Sequence, residues 1–144
     1  MPYEQVDEKT GRFMPILYPE EAPYWEAARR HELRLQKCRQ CGKVWFPIGP
    51  VCPFCLSKDF EWALMSGRGV VSNCVVFHKA WAPWLESRVP YAVVQVELEE
   101  GPRLTTNLLG IKPSEIQIGQ PVEVVFEDIS DTEVTLVQFR PASK

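Results

Sequence analysis

Apolar positions along this 144-residue chain follow two spacings, and the change falls near residue 33. Before it, Trp25 and Ala28 stand three apart, which places them on one face of a helix. Pro23 suits a first turn, Glu20 and Glu21 suit the positive end of a helix dipole, and Arg29, Arg30 and His31 suit the negative end. These signals predict a helix over 20–32. Leu33 and Leu35 then alternate with Arg34 and Gln36, a period of two that predicts a strand, and Val44-Trp45-Phe46-Pro47 reads as its return.

From Phe60 onward the pattern is strand-like throughout. Phe60–Leu64 leads through a bend at Ser66-Gly67-Arg68-Gly69 into the β-branched run Val70–Phe77. Tyr91–Leu98 and Leu104–Leu109 are joined by the hairpin loop Glu99-Glu100-Gly101-Pro102. A turn around Pro113–Ile116 precedes Val122–Phe126 and Val134–Phe139. Five strands, a long bent first one and an insert after the third predict a five-stranded Greek-key barrel of the OB type, with an SH3-like barrel as the alternative. The expected organisation is an arm over 1–19, a helix plus ribbon over 20–59 and the barrel over 60–142. The arm is polar except for Phe13–Tyr18, so it is either a disordered tail or a segment docked on a partner surface.

Cysteines change the picture for the ribbon. Cys38, Cys41, Cys52 and Cys55 form a CxxC–x10–CxxC array. A two-residue spacer lets two thiolates converge on one metal while backbone N–H groups turn toward the sulfurs. Four such thiolates make a closed tetrahedral site suited to structural Zn²⁺, with no open position for hydrolytic chemistry. Trp45 and Phe46 are expected to cover it. Two disulfides are the alternative in a secreted chain, but nothing else in the sequence points to secretion. Iron in a rubredoxin-like site would imply electron transfer, although rubredoxins set their knuckles further apart. The fold class expected is mainly β: an N-terminal helix, a rubredoxin-like four-cysteine zinc ribbon and an OB-type barrel.

Composition is that of an ordinary globular protein, 45% hydrophobic and 24% charged. No apolar run approaches 18 residues, and the N-terminus has neither a basic region nor an apolar stretch behind it. The expectation is therefore no membrane span, no signal peptide and a cytoplasmic location. Net charge is −3, but unevenly spread. Arg29 to Lys43 carries six Lys/Arg against Glu32 alone, while Gln95 to the end carries nine Asp/Glu against four Lys/Arg. The basic stretch reads either as a solvated helix face and hairpin or as an anion site for a ligand's phosphates. Zinc ribbons and OB barrels also bind nucleic acid, yet an acidic chain with few cations in its barrel strands speaks against that partner.

The run Tyr24–Arg29, Leu35-Gln36-x-Cys38-x-x-Cys41-Gly42 and Cys52-Pro53-x-Cys55 resemble the zinc-ribbon/OB-fold acyl-CoA-associated family, long labelled a domain of unknown function. So do Ser66-Gly67-Arg68-Gly69-x-Val71, Pro90-Tyr91, Val96-Glu97-Leu98-x-Glu100-Gly101 and Gly119-x-Pro121-Val122, and the likeness covers about residues 20–142. It implies an N-terminal helical hairpin, a zinc ribbon and an OB barrel. Members are small partner subunits of thiolase-fold enzymes (thiolases and side-chain aldolases), and one branch supports the benzoylsuccinyl-CoA thiolase of toluene breakdown. The role implied is a non-catalytic subunit of a hetero-oligomer that helps bind or pass acyl-CoA thioesters, in aromatic or steroid-type degradation.

Coenzyme A carries three phosphates and an adenine, so a chain that binds it needs cations beside aromatic or apolar platforms. Arg39, Lys43 and Phe46 around the first knuckle, and Lys79, Trp81 and Trp84 in the loop after the long strand, are the candidate contacts, facing one another across a ribbon–barrel groove. Trp81 and Trp84 could equally form a lid over the barrel. Arg68, between two glycines, reads as a bulge residue before it reads as a phosphate ligand. Cys74 and His78 stand four apart on a strand and share a face, a spacing open to a nucleophile pair but usual for a buried thiol and a structural histidine. No Ser/His/Asp set, GxSxG, Walker loop or GxGxxG fingerprint is present, and there are only two histidines, so no catalytic residue is assigned.

Overall fold

A computed structural model describes residues 5–7 and 9–143. Strands β1 (Gln5–Val6) and β2 (Phe13–Met14) make a small hairpin. A single 3-10 turn, Pro19–Glu21, leads into α1 (Ala22–Arg29), and the helix stops where His31 takes φ 60°. Among the described residues, the helical hairpin implied by the family resemblance is one short helix with a 3-10 turn before it, and the positive φ at His31 ends that helix. The predicted span of 20–32 was too long by three residues at its end.

Strands β3 (Arg34–Cys38), β4 (Val44–Trp45) and β5 (Phe60–Leu64) form an antiparallel sheet in the order β4-β3-β5. Residues 60–64, expected to begin the barrel's bent first strand, instead pair with β3 from Arg34↔Leu64 to Cys38↔Phe60. The hydrophobic pattern could not show this, since a strand's alternation does not name its neighbour.

The barrel comprises β6 (Arg68–Phe77), β7 (Tyr91–Leu98), β8 (Arg103–Thr106), β9 (Pro121–Asp128) and β10 (Thr135–Pro141). Their order is β10-β9-β6-β7-β8, with every neighbour antiparallel. The curl closes where Leu108 bridges Phe139 in parallel, Leu109 N–H donates to Phe139 C=O at 2.8 Å, and Thr106 Oγ1 donates to Val137 C=O at 2.9 Å. This Greek-key path is the OB type and not the SH3-like alternative. β6 bends at a bulge between Val71 and Asn73, which lets one strand pair with both β7 and β9. At Gly69 the bend brings β7 so close that a Cβ would lie 2.5 Å from Glu97 O, so only glycine fits.

One apolar core joins the two units. Val71, Val94, Val96, Leu98, Leu104, Val122 and Phe139 fill the barrel, and Tyr24, Leu33 and Leu35 enter it from the helix and ribbon strand. No helix among the described residues is long and apolar enough to cross a membrane.

Candidate metal centre and surrounding surfaces

Each CxxC pair closes the same backbone turn. Cys38 N–H donates to Lys43 C=O and Gly42 N–H to Cys38 C=O at 2.9 and 3.0 Å; Cys52 N–H donates to Ser57 C=O and Leu56 N–H to Cys52 C=O at 2.9 and 2.8 Å. The turn needs a left-handed residue after the second cysteine. Gly42 supplies it with φ 77°, and Leu56 accepts it with φ 65°. The two knuckles face each other, so that Cys38 Sγ lies 3.5 Å from Cys55 Sγ and Cys41 Sγ 3.6 Å from Cys52 Sγ. All four sulfurs lie within 4.8 Å of one another. Tetrahedral zinc with Zn–S near 2.3 Å requires S···S distances of about 3.8 Å, so the donor set fits this ion.

The sulfurs also compete for charge. The backbone N–H of Cys41, and to a lesser degree those around it, pull the Cys38 thiol down to about 6. Cys55 goes the other way, up to about 12: the Ser57 N–H lowers it, but burial and the neighbouring sulfurs outweigh that. Four thiols this close cannot all ionise on their own, and a divalent cation is the group that lets them. Trp45 covers the centre from one side as expected, with Phe60 packed edge-on at 5.6 Å. Phe46 does not cover it. It turns to the other face of the ribbon and packs 6.2 Å from Tyr24, against the shared core.

The remaining candidates fall in separate places. Arg39 at the ribbon donates to Asp59 at 2.9 Å and lies 3.8 Å from Glu61, so its charge is already shared. Lys43 Nζ sits 4.5 Å over Phe54, and Lys79 Nζ sits 4.1 Å over Trp81, whose ring is 67% exposed. The guanidinium groups of Arg12 and Arg88 both lie over the Trp84 ring, at 4.6 and 3.9 Å. No hydrogen bond or ring contact among the described residues joins the ribbon set Arg39, Lys43 and Phe46 to the loop set Lys79, Trp81 and Trp84. Arg68 is taken up by Glu99 through two bonds of 3.0 and 3.1 Å, and the bulge of β6 lies further along, between Val71 and Asn73. Cys74 is half-buried in β6 and His78 follows the strand's end, with no hydrogen bond between them among the described residues.

Three features had no reading from the sequence. Gln36, grouped with the polar face of β3, is 2% exposed and clamps Gly49, donating to its C=O at 2.7 Å and accepting from its N–H at 2.9 Å. Arg12 anchors the arm by a double bond to Glu127 at 2.7 and 3.1 Å, so the arm docks on the chain's own barrel. Beside that anchor lies a cavity of about 530 Å³ walled by Trp84, Leu85, Tyr91, Leu108 and Ile111.

Comparison with known proteins matches this architecture segment by segment. Residues 25–61 match the ChsH2 rubredoxin-like zinc ribbon domain and residues 62–127 the ChsH2 C-terminal OB-fold domain. A solved structure described as an Ltp2-ChsH2(DUF35) aldolase contains a chain 41% identical, with a TM-score of 0.80, covering 90% of this chain and 100% of that one. The chain belongs to the ChsH2/DUF35 family. Within the family, it is 40% identical over 141 residues to a probable enoyl-CoA hydratase alpha subunit of Thermomonospora curvata. That match takes in 96% of this chain but 43% of the relative, so the chain spans less than half of that protein. The benzoylsuccinyl-CoA thiolase subunit BbsA of Thauera aromatica is 26% identical over 110 residues, 75% of this chain and 74% of BbsA. The four converging thiols therefore sit in a zinc ribbon of known type beside an OB barrel.

Proposed function

We propose that this ChsH2/DUF35 chain is a non-catalytic, zinc-containing accessory subunit of a thiolase-fold acyl-CoA enzyme. It stabilises the catalytic partner and helps hold the CoA thioester. The observation that carries this reading is the match of the whole ChsH2(DUF35) chain in a structure described as an aldolase, supported by the likeness to a subunit named for a thiolase. Hydratase chemistry, part of the name of the T. curvata protein, is not assigned to this chain, which spans 43% of it.

Zinc in this reading is structural. Four thiolates complete its tetrahedron and leave no site for substrate. Arg39, Lys43, Lys79, Trp81 and Trp84 are the CoA contacts we propose, because Lys43 over Phe54 and Lys79 over Trp81 already place an ammonium beside an aromatic face. Phe46 backs the ribbon strand from the core side and acts by rigidity. The compartment we propose is the cytoplasm, where the thiols stay reduced, and the pathway class is aromatic or steroid-type degradation.

The test is affinity purification of the tagged chain from cells that make it natively, read by mass spectrometry. A near-stoichiometric thiolase-fold protein is the expected result. Recovery without such a partner, with nuclease-sensitive material attached, would replace this reading with a nucleic-acid-binding module.

A further inference from the structure

The cavity beside the arm has features of a ligand site that neither the zinc centre nor the proposed CoA contacts use, Trp84 apart. It lies where β7, the segment after β8 and β10 meet the 83–92 loop, and its volume of about 530 Å³ falls within the range of small-molecule pockets. Its walls are mostly apolar: Leu85, Tyr91, Leu108 and Ile111 face Trp84 across it. Its rim is cationic. Arg12 and Arg88 both lie over the Trp84 ring, and Glu127 is the only carboxylate among the described lining residues. Arg12 donates from Nη1 and Nη2 to the two carboxylate oxygens of Glu127. Arg88 makes no side-chain hydrogen bond among the described residues, so its guanidinium donors stay open at the rim, although its charge reaches Glu127 through space. Gln138, 5% exposed, stands in the wall with its Oε1 lacking a hydrogen-bond partner among the described residues.

We propose that this cavity binds a compact monocarboxylate with a flat apolar body. The carboxylate meets the Arg88 guanidinium, whose planar fork matches it. The apolar body lies between Trp84 and the Leu108–Ile111 wall. Arg12 is a positioning residue: by engaging both oxygens of Glu127 it leaves the Arg88 donors to the ligand and fixes the arm as one side of the site. A neutral ligand of the same shape gains the apolar contact but not the ion pair. This inference does not rest on the accessory-subunit reading, and it stands or falls without a partner protein.

The test uses the full chain loaded with zinc and two probes of equal shape, 2-naphthoate and 2-naphthamide, followed by the Trp84 indole N–H signal in nitrogen–proton correlation spectra. The expected result is a saturable Trp84 shift with 2-naphthoate and binding at least about tenfold weaker for 2-naphthamide. Arg88→Gln weakens 2-naphthoate by a similar factor, while Arg103→Gln, outside the cavity, leaves it unchanged. No saturable Trp84 shift would overturn the proposal, as would equal binding of the two probes or an Arg88→Gln variant that binds as well as the parent. The two-probe comparison is made on the unaltered chain, so it decides the matter even if Arg88→Gln folds poorly.

Discussion

In the barrel, Val71, Val94, Val96, Val122 and Phe139 are each at most 1% exposed and pack against one another. At the ribbon tip, the buried set is Cys38, Trp45 and Cys52, with only Cys55 and Phe60 alongside. Apolar burial at roughly 25 cal/mol per Å² can hold the first unit, whereas three buried residues cannot order two knuckles against their chain entropy. With zinc structural, as proposed above, the ribbon tip draws its stability from the metal. The base of the same sheet is different again: Leu33, just before β3, and Leu35 within it belong to the barrel's core, so one strand runs from apolar packing at one end to a candidate metal ligand, Cys38, at the other.

The largest effect that would break this contrast is loss of a ligand. Cys52→Ser is expected to remove on the order of 10 kcal/mol of coupled binding and folding from the ribbon. Hydrogen exchange should then show the knuckle amides unprotected while β6 and β7 stay protected. Uniform loss across both units would show that they unfold as one. Next comes Phe139→Ala, at about 3–5 kcal/mol, because it opens a cavity at the barrel's closure. Denaturant melts followed at both sites should report global unfolding here, with zinc released in the same transition.

Gln36→Leu sharpens the comparison at the junction. It strips Gly49 of both partners and should cost about 1–3 kcal/mol, read as a lower denaturation midpoint with zinc content unchanged. The smallest effect is at the arm. Arg12 holds the Glu127 carboxyl below its ordinary 4.5. A carboxyl depressed in the fold stabilises it above that value, and the gain is lost as pH falls through the folded pKa. Glu127 is partly exposed, so the gain is below about 1 kcal/mol. Thermal melts of the parent and Arg12→Gln should differ at neutral pH and converge as the pH falls through the lowered pKa of Glu127.

Much of this was legible in the residues, and for physical reasons. A CxxC pair encodes its own turn, so the metal ligands could be read without any knowledge of the fold. The alternation of Tyr91–Leu98 and the β-branched run before it fixed the barrel strands, because inward positions must be apolar. What could not be read depends on contacts between distant segments. Gln36 looks like a surface residue until Gly49, thirteen positions on, is seen to satisfy both ends of its amide. Arg12 lies 115 positions from the carboxylate it grips. Phe46 sits beside Trp45 in sequence, and the pleat sends the two to opposite faces, one to the metal and one to the core. That β5 joins the ribbon sheet and not the barrel cannot be read from its alternation, because pairing is not a local property.

In the proposed assembly the ribbon is a metal-built element whose order the partner enzyme requires. The most direct measurement is native mass spectrometry of the affinity-purified assembly before and after chelation. It should show this chain with one zinc per copy bound to a thiolase-fold acyl-CoA enzyme, and the complex should fall apart when the zinc is removed. A chain recovered without such an enzyme, or an assembly that survives complete loss of zinc, would contradict it.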